Sequence, residues 1–219
     1  MPKSKRSRVV SLTKTDKKGK ELKDDLVNKI RAAVDEYSSV YVFDFFNMRS
    51  NAFKELRAQF ADSRFFLGKN RVMSFALGKT TAEEYRDNIH ELAPFLNGNA
   101  TLFMTNRSEE EVLKFFSEYH IQDYARSGFI STQKFVIPEG PMPFAHSMLE
   151  EFKKLKLPVI LKDGVLTLTK EYLVCEEGKI LNPEQCRLLK FYMIPMASFH
   201  LEPIALWKDN QVKIYKKDN

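Results

Sequence analysis

Residues 40–46, Val-Tyr-Val-Phe-Asp-Phe-Phe, put six apolar or aromatic side chains into seven positions. A run this short, this dense and this rich in β-branched and aromatic residues does not suit an amphipathic helix. It predicts a strand buried on both faces. Such a strand must be flanked by other strands and covered by helices, and the chain supplies both. Arg64-Phe65-Phe66-Leu67-Gly68 and Ala100-Leu102-Phe103-Met104 within 100–105 predict two more strands. Helical spacing sets Leu22, Leu26, Ile30, Ala33 and Tyr37 on one face with Val34 beside it, then Phe53, Leu56 and Phe60, then Val72, Met73 and Leu77 after Asn70. Two capping boxes, Thr81-Ala82-Glu83-Glu84 and Ser108-Glu109-Glu110-Glu111, predict helices carrying Tyr85, Ile89 and Leu92, and Val112, Phe115, Phe116 and Tyr119. Strands alternating with helices predict an α/β layer.

The rhythm breaks after Arg126. Residues 127–146 hold two glycines and three prolines, which suits neither a helix interior nor a central strand. A short helix over 148–155 and strand-like residues 158–174 follow, with Asp163-Gly164 as a hairpin signal. Asn182-Pro183-Glu184-Gln185 predicts an N-cap with proline at the first helical position. Two strands, 198–207 and 211–216, turn at Asp209-Asn210. The expected organisation is a flexible basic arm over 1–20, an α/β sandwich over 21–126 plus 182–219, and a smaller α+β domain inserted at 127–181.

Charge is distributed unevenly. Residues 1–23 contain nine Lys or Arg and two Asp or Glu, whereas residues 24–219 contain 26 and 27. The whole excess of +6 therefore sits in the arm, at Lys3, Lys5, Arg6, Arg8, Lys14 and their neighbours. A segment of that kind binds polyanions, directs nuclear import or simply solubilises the chain. The 18 Phe and 8 Tyr argue against a wholly disordered chain. No apolar run nears the roughly 18–20 residues that span a bilayer, and the N-terminus lacks the apolar core of a secretory signal. Two cysteines, Cys175 and Cys186, build no disulfide framework. The expectation is a soluble intracellular protein with no membrane partner, no catalytic centre, no metal and no cofactor.

The residues that could carry catalytic chemistry point the same way. Gly78-Lys79-Thr80 resembles the end of a phosphate-binding loop, but position 73, where the loop needs its first glycine, is Met73. A nucleotide-binding enzyme built on this tripeptide is the alternative from another class, set against Gly78 as a helix C-terminal residue. His90, His120, His146 and His200 match no zinc spacing. The sequons at Asn99 and Asn106 are accidental without a secretory signal.

What remains is a set of basic strand-to-helix turns: Asn47-Met48-Arg49, Gly68-Lys69-Asn70-Arg71 and Asn106-Arg107. Helix N-terminal amides favour anions, and such turns gather on one edge of a sheet if its strands are parallel. Gly68 would let a polyanion backbone approach, with Lys69 and Arg71 supplying charge. Taken singly, each turn reads as well as an Asn-capped helix with ordinary surface cations. Joined to the arm, phosphate-backbone recognition is the better account. RNA is favoured over DNA because no helix carries a basic base-reading face.

The segment Phe66-Leu67-Gly68-Lys69-Asn70-Arg71-Val72-Met73 resembles the "GKN" turn of the ribosomal stalk-base protein family. Further matches follow in order: Asn97-Gly98-Asn99, Tyr124-Ala125-Arg126-Ser127-Gly128 and Lys162-Asp163-Gly164. The opening Met1-Pro2-Lys3-Ser4-Lys5-Arg6 with Ser11-Leu12-Thr13-Lys14-Thr15 is similar to the nucleolar ribosome-assembly branch of that family. The resemblance implies an rRNA-binding α/β domain with an insertion, acting at the stalk base (the GTPase-associated centre) of the precursor large ribosomal subunit. Lys69 and Asn70 fall on the family's RNA-facing turn, and Asn47, Met48 and Arg49 on the neighbouring loop. It implies a placeholder later replaced by the stalk protein, neighbouring ribosomal proteins as partners, a phosphatase-like release factor, and a nuclear and nucleolar location with shuttling to the cytoplasm left open. The chain stops at Asn219 without the acidic tail of a stalk protein, which sets the placeholder against a truncated stalk protein. A protein-interaction role for 127–181 is compatible with both.

Overall fold

A computed structural model describes residues 19–215. In chain order the elements are α1 (Lys20–Glu36), β1 (Ser39–Phe46), α2 (Ser50–Gln59), β2 (Arg64–Phe66), α3 (Asn70–Leu77), β3 (Ala100–Thr105), α4 (Glu109–Glu118), β4 (Ile121–Asp123), β5 (Phe135–Ile137), β6 (Gly140–Pro141), α5 (Leu149–Lys154), β7 (Val159–Lys162), β8 (Val165–Leu168), β9 (Tyr172–Cys175), α6 (Pro183–Phe191), β10 (Ala197–Lys208) and β11 (Gln211–Ile214). The mixed α/β architecture is the one the alternating pattern predicts. The described residues divide into two compact units: 19–44 with 60–107 and 203–215, and 45–59 with 108–202.

The first unit is built on the strand order β11-β10-β1-β3-β2. Alternation along β1 and β3 separates its two faces. Val40, Val42, Leu102 and Met104 point one way and pack with Ile30, Ala33 and Val34 of α1 and Met73, Ala76 and Leu77 of α3. Tyr41, Phe43 and Phe103 point the other way and form an aromatic cluster with Phe60 and Phe65, ring centroids 4.4–6.3 Å apart. Both faces of β1 are thus buried, as its composition requires.

The sheet pairs differently from a parallel layer. β1 and β2 each run antiparallel to β3, with Ser39 opposite Thr105 and Phe66 opposite Leu102. Within this unit the C-terminal end of β2 and that of β3 therefore lie at opposite ends of the sheet. The turns after them cannot gather on one edge.

One predicted helix is absent. Residues 78–88 form turns and bends, followed by a 3₁₀ segment, Ile89–Phe95. The Thr81 capping box is overruled by tertiary contacts. The Tyr85 amide donates to Leu77 O, its hydroxyl donates to Asp35, Asn88 adopts φ +62°, and Pro94 lies inside the 3₁₀ segment. The Ser108 cap does form, its hydroxyl accepting from Glu111 N at 3.3 Å.

The second unit contains β4 paired with the start of β10, the β5–β9 ladder and the β6-β8-β7 sheet. Its core includes Ile137, Phe152, Leu166, Leu168, Val174, Leu188 and Leu189. The β7–β8 hairpin turns at Asp163-Gly164, both at positive φ, as predicted, and β10–β11 turn likewise at Asp209-Asn210. Pro183 opens α6, and Gln185 Oε1 accepts from Asn182 N at 2.7 Å.

Candidate nucleic-acid interface

The turn after β2 is built from the core outward. Phe66 is buried at the end of the strand and Met73 inside α3, so the residues between them must cross the surface in a few steps. Gly68 sits where a side chain would press on Leu26: an added Cβ would come within 2.8 Å of its Cδ2 and 3.4 Å of Met73 Cγ. Helix α3 then starts with an unusual cap. Its N-cap is Lys69, which has no side-chain acceptor, while Lys69 O closes the first turn to Val72 N at 2.8 Å and Met73 N at 3.1 Å. The first amides of α3 are left without a side-chain cap, and Lys69 and Arg71 stand exposed beside them. Positive partial charge and two cations therefore converge on one end of a helix, an arrangement that attracts anions. Asn70 is the first helical residue rather than a cap. Its side-chain amide donates to Gly98 O at 3.0 Å, tying α3 to the turn before β3.

Beside this turn lies a groove of about 860 Å³ between α1 and α3. Leu22, Leu26, Leu67 and Val72 form its apolar lining, and Lys23, Lys29 and Lys69 its rim. Lys29 is paired with Asp25 at 2.7 Å; among the described residues Lys23 and Lys69 have no ion pair. The helical spacing assigned Leu22 to the packed face of α1, but it is 54% exposed. It lies about one turn N-terminal to Leu26, where α1 has run past the core and forms the groove wall instead. Neither Leu22 nor Lys23 was among the sequence-predicted site residues. The visible signal was the basic stretch continuing to Lys23, within the first turn of the amphipathic helix.

The other turns use their side chains differently. In the second unit Asn47 adopts φ +51° and its amide donates to Ser198 O at 3.3 Å, so it is a turn residue and not a helix cap. Met48 is half-buried. The Arg49 guanidinium ion-pairs with Asp123 and donates to Tyr124 O at 2.5 Å, fastening the start of α2 to β4. In the first unit Asn106 Oδ1 accepts from Ser38 N at 2.7 Å, and Arg107 pairs with Asp62 at 2.8 Å over the Phe60 ring. The Arg107 bonds hold the Asp62 carboxyl below the usual carboxylate range. This third turn braces its end of the sheet. Lys3, Lys5, Arg6, Arg8 and Lys14 lie outside the described residues.

Gly78-Lys79-Thr80 is no phosphate loop. Gly78 ends α3 with φ +99° and its amide on Ser74 O, and an added Cβ would meet Glu84 Cα at 2.5 Å. A phosphate loop would instead open a helix at the Lys-Thr pair. Among the described residues no cluster of three or more His, Cys, Asp or Glu could hold a metal, and no helix is long and apolar enough to cross a membrane.

Comparison with known proteins matches residues 18–120 to the family "Ribosomal protein L10" and residues 125–194 to the insertion domain described for the 60S ribosomal member of that family. The ribosome assembly factor mrt4 of Dictyostelium discoideum is 38% identical over 100% of this chain and 99% of its own length. That of Schizosaccharomyces pombe is 36% identical over 91% and 88%. The large ribosomal subunit protein uL10 of Methanopyrus kandleri is 26% identical over 82% of this chain and 51% of its own.

Proposed function

The chain belongs to the ribosomal protein L10 family, in the branch of the ribosome assembly factors, and from that premise we propose that it serves ribosome biogenesis by binding rRNA at the stalk base of the precursor large subunit. On this reading it is a non-enzymatic placeholder, later replaced by the ribosomal stalk protein. The single observation that carries the proposal is the side-chain-uncapped start of α3 with Lys69 and Arg71 beside it. Cationic groups and helix amides engage phosphates, and the apolar groove can receive the face of a base or sugar. The likeness to both assembly factors and uL10 supports the exchange: two proteins that present the same turn to the same RNA cannot occupy it together.

The working parts are the arm (1–20), an RNA-binding body (21–126 with 182–219) and the insertion (127–181), whose core α6 completes with Leu188 and Leu189. Gly68, Lys69, Asn70 and Arg71 form the principal contact, and Asn47, Met48 and Arg49 shape the loop after β1. The arm residues Lys3, Lys5, Arg6, Arg8 and Lys14 add electrostatic attraction. The setting is the nucleus and nucleolus, and neighbouring ribosomal proteins and a phosphatase-like release factor are the protein partners. The test is binding of a transcribed stalk-base rRNA fragment in competition with the stalk protein. Mutually exclusive, salt-sensitive binding is expected; simultaneous binding, or an affinity indifferent to salt, overturns the proposal.

A further inference from the structure

The second unit carries a concave cationic surface of its own. A cleft of about 420 Å³ lies between the residues that follow β4 and one side of α6. Arg49 lines it already neutralised, ion-paired with Asp123 and bonded to Tyr124 O. Arg126, Arg187 and Lys190, all exposed, line it as well. Glu151 answers Arg187 at 2.5 Å, whereas among the described residues Arg126 and Lys190 have no ion pair.

The walls are held by backbone bonds. Asp123 pairs with Ala197 across β4 and β10, Gly128 N donates to Leu181 O at 2.9 Å, and Leu181 N donates to Phe129 O at 2.8 Å. The two uncompensated cations are therefore mounted on fixed backbone, which lowers the ordering cost of binding an anion. The apolar residues of the cleft, Ala125, Pro183 and Cys186, offer no large pocket to anchor a peptide side chain. A guanidinium fork and an ammonium across a shallow polar cleft suit phosphate oxygens.

We infer that this cleft is a second RNA-backbone contact, in which Arg126 and Lys190 take phosphates of the same rRNA. The inference rests on the reading of the chain as an rRNA binder and extends it from the first unit to the second. Both side chains are exposed, so Arg126→Ala with Lys190→Ala spares the core.

In the full chain, binding to the transcribed stalk-base rRNA fragment is followed by fluorescence anisotropy across a salt series. The expected result is a roughly fivefold to tenfold weaker affinity near physiological salt and a log–log salt slope shallower by about 1.5, from two lost phosphate contacts. The melting temperature stays unchanged. An unchanged affinity and slope, while Lys69→Ala with Arg71→Ala still weakens binding, overturns the cleft contact and leaves the main reading intact. Absence of salt-dependent binding by the unmodified chain overturns both. Normal RNA binding with loss of a protein from isolated precursor particles reassigns the cleft to an acidic protein segment and overturns the RNA contact.

Discussion

The turns after β1 and β2 look alike in sequence and do opposite things with their charge. Each follows an aromatic strand, places an asparagine near the start of a helix and carries an arginine. After β1, Arg49 is consumed by Asp123 and Tyr124 O, and Asn47 is spent on a left-handed turn held to Ser198. After β2, Asn70 is the anchor, on Gly98 O, while Lys69 and Arg71 face solvent beside an uncapped helix start. A nearby carboxylate makes an arginine part of the fold; without one, the charge is left for a ligand.

That contrast can be tested in order of effect. Arg49→Ala should cost about 2 kcal/mol of stability in chemical denaturation, between the values for surface and buried pairs, because its side chain is 21% exposed and that of Asp123 is 27%. The RNA affinity of the folded fraction should hardly change. Comparable stability of Arg49→Ala and the unmodified chain would erase the distinction. Lys69→Ala with Arg71→Ala should do the reverse, weakening rRNA binding about tenfold and leaving stability within about 0.5 kcal/mol. Anisotropy and melting of one preparation read both.

A smaller effect concerns the backbone. Asn47→Val should destabilise by about 1 kcal/mol more than Asn47→Gly, since both lose the Ser198 bond and only valine resists φ +51°. Equal melting temperatures would mean that the turn relaxes. The smallest effect is at Asp35, an exposed counterpart to Asp123. The Tyr85 hydroxyl and then Arg86 hold its carboxyl below the usual range. Its stabilisation is therefore present above the ordinary carboxylate range and is lost as pH falls below about 4 through the lowered value. Asp35→Asn should flatten that part of the melting-temperature profile, and an unaltered profile would count the exposed pair as idle.

Much of the fold was legible where local pattern and burial agree. Residues 40–46 announced a strand covered on both faces, Ser108 announced the cap of α4, and the Asp163-Gly164 and Asp209-Asn210 dipeptides announced their hairpins. Thr81 misled because the Tyr85 hydroxyl is tied to Asp35, far away in the chain, and a local capping signal cannot register that bond. Leu22 misled because helical periodicity continues past the point where the core ends. Gly68, Lys69 and Arg71 stood out in the sequence as part of a basic strand-to-helix turn, yet nothing local distinguished them from Arg49, since Asp123 lies 74 positions away in the chain.

The sequence alone determined the alternation of strands and helices, the break after Arg126, the basic arm and the motifs shared with the L10 family. These follow from local periodicity, turn chemistry and composition, which act over a few residues. The tertiary structure alone decided the antiparallel course of β3 between β1 and β2, and with it which turns lie at opposite ends of the first unit's sheet. It also decided which cations are matched and which stand open. Those outcomes depend on pairing between segments far apart in the chain, where strand register and the placement of a single carboxylate set what each charge can do.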